Sequence, residues 1–155
     1  MRIPTILNMP KIILHRGLYR GPDYSDENNP WHLSEMLGDY DCEIDLWRKN
    51  SNLYLGHDAP TYKISLDFLV NYRTKLWIHC KNISALEYMS KTCCSLNYFF
   101  HSRDDYTLTS QKFIWCHPRV KYVPKNGIQL DFSENPNYNG SCVGICVNYI
   151  KRKSQ

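Results

Sequence analysis

The sequence predicts an α/β protein, a small, pared-down (β/α)8 TIM-type barrel with short or missing helices in its second half. Three observations predict it. Short, wholly apolar runs of four to six residues recur along the chain, as strands buried on both faces do. Nearly every run ends in polar or ionisable residues, and a barrel of parallel strands collects its functional groups at such C-terminal ends. Helical patterns separate the runs in the first half, where they would serve as crossovers. The chain counts seven or eight strands but only three convincing helices, and at 155 residues it is well short of the ~250 usual for that barrel. An open α/β sheet is the other architecture these observations allow.

Composition fits one domain spanning residues 1–155, with 43% hydrophobic and 22% charged residues and no low-complexity tract. Aromatic residues make up 14%, so much of the packing should be aromatic. A net charge of +4 is too mild to argue for nucleic acid, and the basic tail Lys151-Arg152-Lys153 reads as a solvated end. Seven cysteines form an odd count with no CxxC pair, which argues against structural zinc. The N-terminus is broken by Pro4, Asn8 and Pro10 and lacks a signal-peptide core. No apolar run approaches the ~18 residues of a membrane helix. These features predict a soluble, cytoplasmic protein with reduced thiols and no transmembrane segment, in which the sequons at Asn82 and Asn139 are accidental.

The elements follow in order. Lys11 to Leu14 is an apolar strand ending in His15-Arg16-Gly17. Leu18 to Asn28 is polar loop. Asn29-Pro30 opens a helix, with Asn as N-cap, Pro at the first helical position and Gly38 as the stop. After the central strand and hairpin, Ser65 starts a second helix over Leu66, Phe68, Leu69 and Tyr72. Leu76-Trp77-Ile78 is a strand ending in His79-Cys80-Lys81-Asn82, and Ile83 to Lys91 is the third helix. Asn97 to Phe100 ends in His101, Phe113 to Cys116 in His117, Ile128 to Leu130 in Asp131, and Val143 to Val147 in Asn148.

The segment from Cys42 to Asp58, CEIDLWRKNSNLYLGHD, carries the densest chemistry. Glu43 and Asp45 stand two apart in a strand, so both carboxylates leave the same face. Asn50-Ser51-Asn52 is a turn-forming cluster, and a hairpin centred on Ser51 places Asp45 opposite His57. Two carboxylates and an imidazole would then meet, able to hold a divalent cation and move a proton. An ordinary surface hairpin is the plainer alternative. His15 is either an acid–base group or a strand-end histidine satisfied by backbone. Arg16 either binds phosphate or pairs with Glu27. His79 and Lys81 share one face of their strand end, as a ligand and a cation or as two solvated side chains. His101, His117 and Asp131 complete the rim as structural or substrate-lining residues. His32 reads as surface, Trp47, Trp77 and Trp115 as core. Cys146 has no base at recognisable spacing and is no candidate nucleophile.

On His15-Arg16-Gly17, Glu27-Asn28, Glu43-Ile44-Asp45 and Gly56-His57-Asp58, in that order, the first 60 residues resemble the glycerophosphodiester phosphodiesterases. These belong to the wider phosphatidylinositol phospholipase C-like barrel superfamily. The resemblance implies that His15 and His57 form an acid–base pair and that Glu43 and Asp45 hold Mg²⁺ or Ca²⁺. It implies that Arg16 and Lys81 hold the phosphate of a small phosphodiester or phospholipid-derived substrate. Where the family carries Glu-x-Lys, this chain has His79-Cys80-Lys81. An imidazole at the third metal position favours softer ions, such as Mn²⁺ or Zn²⁺, and leaves the site one negative charge short. The implied activity is metal-dependent phosphodiester hydrolysis. A catalytically inactive barrel that binds phosphate esters is the alternative, supported by His79 and the short chain. A nuclease is disfavoured, for there is no basic stripe interleaved with aromatics.

Overall fold

A computed structural model describes residues 9–92 and 95–151. The N-terminal residues 1–8 with Pro4 and Asn8, Cys93, Cys94, and the tail from Arg152 lie outside the described residues.

Ten strands form one mixed sheet. Seven of them run parallel, in the order β6 (Asn97–Phe99), β5 (Leu76–Cys80), β2 (Asp41–Lys49), β1 (Lys11–His15), β10 (Gly144–Val147), β9 (Gly127–Asp131) and β8 (Ile114–Cys116). The other three are antiparallel: β3 (Asn52–Leu55) folds back on the C-terminal half of β2, β4 (Tyr62–Ile64) pairs β3, and β7 (Tyr106–Leu108) pairs β8. Among the described residues only three short helices accompany them: α1 (Pro30–Met36), α2 (Leu66–Asn71) and α3 (Ile83–Thr92).

This corrects the predicted fold. The molecule is not a (β/α)8 TIM-type barrel, because helices do not alternate with its strands and the sheet is mixed. After α3 no helix occurs among the described residues. The physical reason lies in residues 100–143, which are rich in Asp, Ser, Asn and Pro and carry no 3.6-residue apolar stripe. Loops and the β7–β8 hairpin take the place of crossovers there. Strands β4 and β7 escaped the sequence reading because each is three residues long and mostly exposed or half-buried.

Side chains alternate cleanly across the parallel strands. Leu14, Cys42, Ile44, Leu46, Leu76, Ile78 and Cys80 face outward and pack with Leu33, Met36 and Leu37 of the α1 region and with Ala85 and Met89 of α3. Ile13, Trp77, Phe99, Trp115, Ile128 and Cys146 face the other way and pack with one another. These six come from six different strands, and side chains of non-adjacent strands meet only if the sheet curls. Phe99 on β6 stacks against Trp115 on β8 with centroids 4.9 Å apart, and the Tyr98 carbonyl accepts from the Ser110 amide at 2.8 Å. The concave face therefore has an apolar floor, and the residues two positions further along the same strands stand above it.

Local signals set the helix starts. The Asn29 side chain accepts from Trp31 N with Pro30 at the first helical position, and the Ser65 hydroxyl accepts from Phe68 N. Each such cap is worth about 1 kcal/mol. His32, read as surface, is half-buried, with Nε2 2.8 Å from the Gly17 carbonyl.

Candidate functional site

Strand register alone assembles the centre of the site. β1 and β2 pair His15 with Glu43, and β2 and β5 pair Asp45 with His79. Paired residues of neighbouring strands share a face, and Glu43 and Asp45 share one by their spacing of two. All four side chains therefore rise above the apolar floor on one side of the sheet. They line a cavity of about 310 Å³ with Arg16, His57, His101, Asp104, Trp115, His117 and Phe132.

His57 arrives by a different route. The hairpin pairs Leu46 with Leu55 and Lys49 with Asn52, so its two-residue turn is Asn50-Ser51, both with positive φ. Positive φ at both central residues is the turn geometry that matches strand twist. The register is thus one residue away from the expected one: Asp45 lies opposite Gly56, whose amide donates to the Asp45 carbonyl at 3.2 Å. Gly56 sits at φ 153°, where a Cβ would meet the Ala59 carbonyl at 2.0 Å. That bend swings His57 back, and its Nδ1 still reaches Asp45 Oδ2 at 3.2 Å.

Asp45 is the hub. Its Oδ2 accepts from Asn28 Nδ2 at 2.9 Å and its backbone amide donates to Asn28 Oδ1 at 2.8 Å, a two-point clamp by a fully buried side chain. His79 Nδ1 lies 3.1 Å and Lys81 Nζ 3.7 Å from Oδ1, and Arg16 Nε lies 3.4 Å from Oδ2. Burial alone would raise the Asp45 pKa. Hydrogen bonds from His57 and His79, with the nearby Lys81 charge, instead hold it well below the usual carboxylate range. Glu43 goes the other way. Burial first, and the Asp45 charge second, push it well above that range, although Arg16 N donates to its Oε2 at 3.1 Å.

Arg16 occupies a left-handed conformation, φ 55°, in the turn that ends β1. Its Nη1 donates to Glu27 Oε2 and its Nη2 to His57 Nε2, each at 3.1 Å. Its buried Nε finds no hydrogen-bond partner among the described residues. Of the two sequence readings of Arg16, phosphate binding or pairing with Glu27, the Glu27 pair is present, and Arg16 also lines the cavity. Lys81 pairs with Asp45 but does not line the cavity.

His15 donates Nδ1–H to Asn148 Oδ1 at 2.8 Å and stacks on Phe132 with centroids 4.2 Å apart. Burial, helped by the Arg16 charge, pushes its pKa down to about 3, so it is a neutral imidazole whose Nε2 carries the lone pair. His79 stands in a column of parallel rings, 5.3 Å from Phe99 and 4.4 Å from His101. His101 is pushed down to about 4 by burial and by its neighbour His79.

His101 and His117 line the cavity, and so does Trp115 of the core. Asp131 does not line it. Its carboxylate accepts from Ser133 and from Asn137 N, closing the loop after β9. Asn28, Phe132 and Asn148 were not singled out as site residues by the sequence. Asn148 was visible as the end of an apolar strand, but nothing local marks Phe132.

Glu43, Asp45 and His79 each bring a donor atom within 4.8 Å of the other two. Two buried carboxyl groups and one imidazole are a donor set that fits a divalent ion. No protein-family model, curated protein or solved structure matches this chain. Among the described residues no helix is long and apolar enough to cross a membrane.

Proposed function

We propose that the protein is a metal-dependent phosphodiester hydrolase, in line with the glycerophosphodiester phosphodiesterase resemblance of its first 60 residues. One observation carries the reading. A single cavity brings together the differently held imidazoles of His15 and His57, two buried carboxyl groups and the Arg16 guanidinium.

His15 is the general base. Asn148 fixes the proton on Nδ1, which leaves the Nε2 lone pair to take the proton from the attacking hydroxyl. His57 is the general acid. The Asp45 carboxylate against its Nδ1–H stabilises the imidazolium that donates to the leaving alkoxide. Arg16, turned from His57 Nε2 to the phosphate, binds and orients it, and Lys81 supplies further positive charge through its place beside Asp45. Glu43, Asp45 and His79 are the groups to hold a divalent ion, Mg²⁺ or Ca²⁺ by resemblance and Mn²⁺ or Zn²⁺ by the imidazole. Such an ion supplies Lewis-acid stabilisation of charge on a non-bridging phosphate oxygen. Phe132, Leu130 and Trp115 form the apolar part of the wall beside His15.

The test is hydrolysis of bis(p-nitrophenyl) phosphate by the purified chain with Mg²⁺, Ca²⁺, Mn²⁺ or Zn²⁺, beside His15→Ala and His57→Ala. Metal-dependent turnover lost by orders of magnitude in both variants is the expected result. Near-wild-type turnover in both would end this mechanism. Phosphate-ester binding without turnover under any metal would favour a binding protein instead.

A further inference from the structure

The concave face of the sheet carries polar side chains at both ends of its strands. Lys11, Ile13 and His15 follow one another on the inner face of β1, and Asn97 and Phe99 on that of β6. On β2, Asp41 stands two residues before Glu43 and so shares its face. The apolar floor of Ile13, Trp77, Phe99 and Trp115 therefore separates the candidate site from a second polar layer at the N-terminal ends of the strands. A cavity of about 280 Å³ opens there, its walls including Lys11, Asp41, Arg73, Trp77, Asn97 and Phe113. It shares no lining residue with the candidate site.

Several groups in this cavity lack the partners their chemistry calls for. Asn97 is 7% exposed, and its side-chain Oδ1 has no hydrogen-bond partner among the described residues. A buried acceptor without a donor is costly, and folded proteins keep few of them. Lys11 Nζ stands 3.8 Å from Asp41 Oδ2, too far for a hydrogen bond, and that oxygen already accepts from Trp77 Nε1 at 3.0 Å. Among the described residues Arg73 donates only Nη1, to the Val70 carbonyl at 3.1 Å. Lys75, the next cation along the chain, is turned away to the Gly38 carbonyl. The cavity thus offers an ammonium and a guanidinium with donors to spare, one buried acceptor, and an apolar wall where the Trp77 and Phe113 rings lie 5.0 Å apart.

We propose that this cavity is a second ligand site, taking a small monoanionic organic acid that carries a hydroxyl or amino donor. The carboxylate lies against Lys11 and Arg73, the donor fills Asn97 Oδ1, and the carbon body rests on Trp77 and Phe113. Asp41 on the same wall repels a multiply charged anion, which favours carboxylates over phosphate monoesters. Because the apolar floor lies between the two cavities, this site stands or falls without the hydrolase reading.

The experiment is an NMR titration of the full chain that follows the Trp77 indole N–H and the Asn97 side-chain amide. The probes are two pairs of acids differing by one hydroxyl, 4-hydroxybenzoate with benzoate and lactate with propionate, and inorganic phosphate as the competing anion. In at least one pair the hydroxy acid should bind roughly fivefold or more tightly than its partner. Arg73→Gln, at an exposed position, should weaken that binding about tenfold. Asn97→Leu should erase the preference for the hydroxyl while leaving stability to urea no lower than wild type, since it removes an unpaired buried acceptor. No shift with any of the four acids overturns the site, as does binding undiminished in Arg73→Gln. Equal affinity within both pairs overturns the role of Asn97, and phosphate binding more tightly than every acid overturns the ligand class.

Discussion

Asn148 Oδ1 accepts a hydrogen bond of 2.8 Å from His15 Nδ1, across 133 residues of sequence. The carboxamide fixes the tautomer that presents Nε2 as a lone pair, while Phe132 stacks on the ring. Asn148→Ala should lower turnover roughly 10- to 100-fold, the usual effect of losing a group that orients a functional histidine. Nitrogen NMR of His15 should then report mixed tautomers; a single unchanged tautomer in the variant would refute the role.

Asp45 is an anion that the fold has enclosed with its cations. Its depressed pKa means it contributes stability above the ordinary value of 3.8, and this is lost as pH falls through the folded value. Asp45→Asn leaves Arg16 and Lys81 without that charge. At pH 7 it should destabilise the protein by about 3–5 kcal/mol, as breaking a buried pair does. Urea denaturation checks this, and a loss below about 1 kcal/mol would show that solvent already screens the pair.

Glu43 predicts the opposite behaviour two residues away. Its pKa is raised by burial and by Asp45, so the folded state holds its proton more tightly than the unfolded chain. Stability is therefore lost as pH rises from the ordinary 4.5 through the folded value. Glu43→Gln mimics the protonated form and should be at least as stable as wild type at pH 8 in chelator. The difference should vanish below pH ~4, where the carboxyl is protonated in both states. A Gln variant clearly weaker than wild type at pH 8 would contradict the charge assignment. Its metal affinity should fall whatever its stability.

Buried thiols should be silent. Burial pushes Cys80 up to about 12 and Cys116 to about 11, and raises Cys42 and Cys146 further. Only the thiolate is a nucleophile. In the folded protein at pH 7.5 these four should resist iodoacetamide for hours, and all should label in urea. Peptide mapping by mass spectrometry reads the outcome residue by residue, and rapid native labelling of Cys42 or Cys146 would mean that the strands open locally.

The sequence by itself determined what backbone sterics and short spacing decide. Asn29-Pro30 and Ser65 start helices, the Asn50-Ser51-Asn52 cluster marks a hairpin turn, and the spacing of Glu43 and Asp45 puts two carboxylates on one face. Apolar strands ending in polar residues marked where His15, His79, His101 and His117 would stand. Only the tertiary structure decided which strands became neighbours. β1 lies between β2 and β10, and apolar runs built from Ile, Leu, Val and Cys carry no address that says so. Partners separated by long stretches of chain, such as Asn148 on His15, follow from that pairing and leave no local trace. The hairpin shows the same limit at short range, because a two-residue turn instead of a three-residue one moved Asp45 from His57 to Gly56. The predicted barrel failed for a related reason. Strand-end chemistry is the same whether helices or loops make the crossovers, and residues 100–143 had no apolar stripe to build helices from. Periodicity fixes which face a residue uses; the partners on that face are fixed by packing over the whole chain.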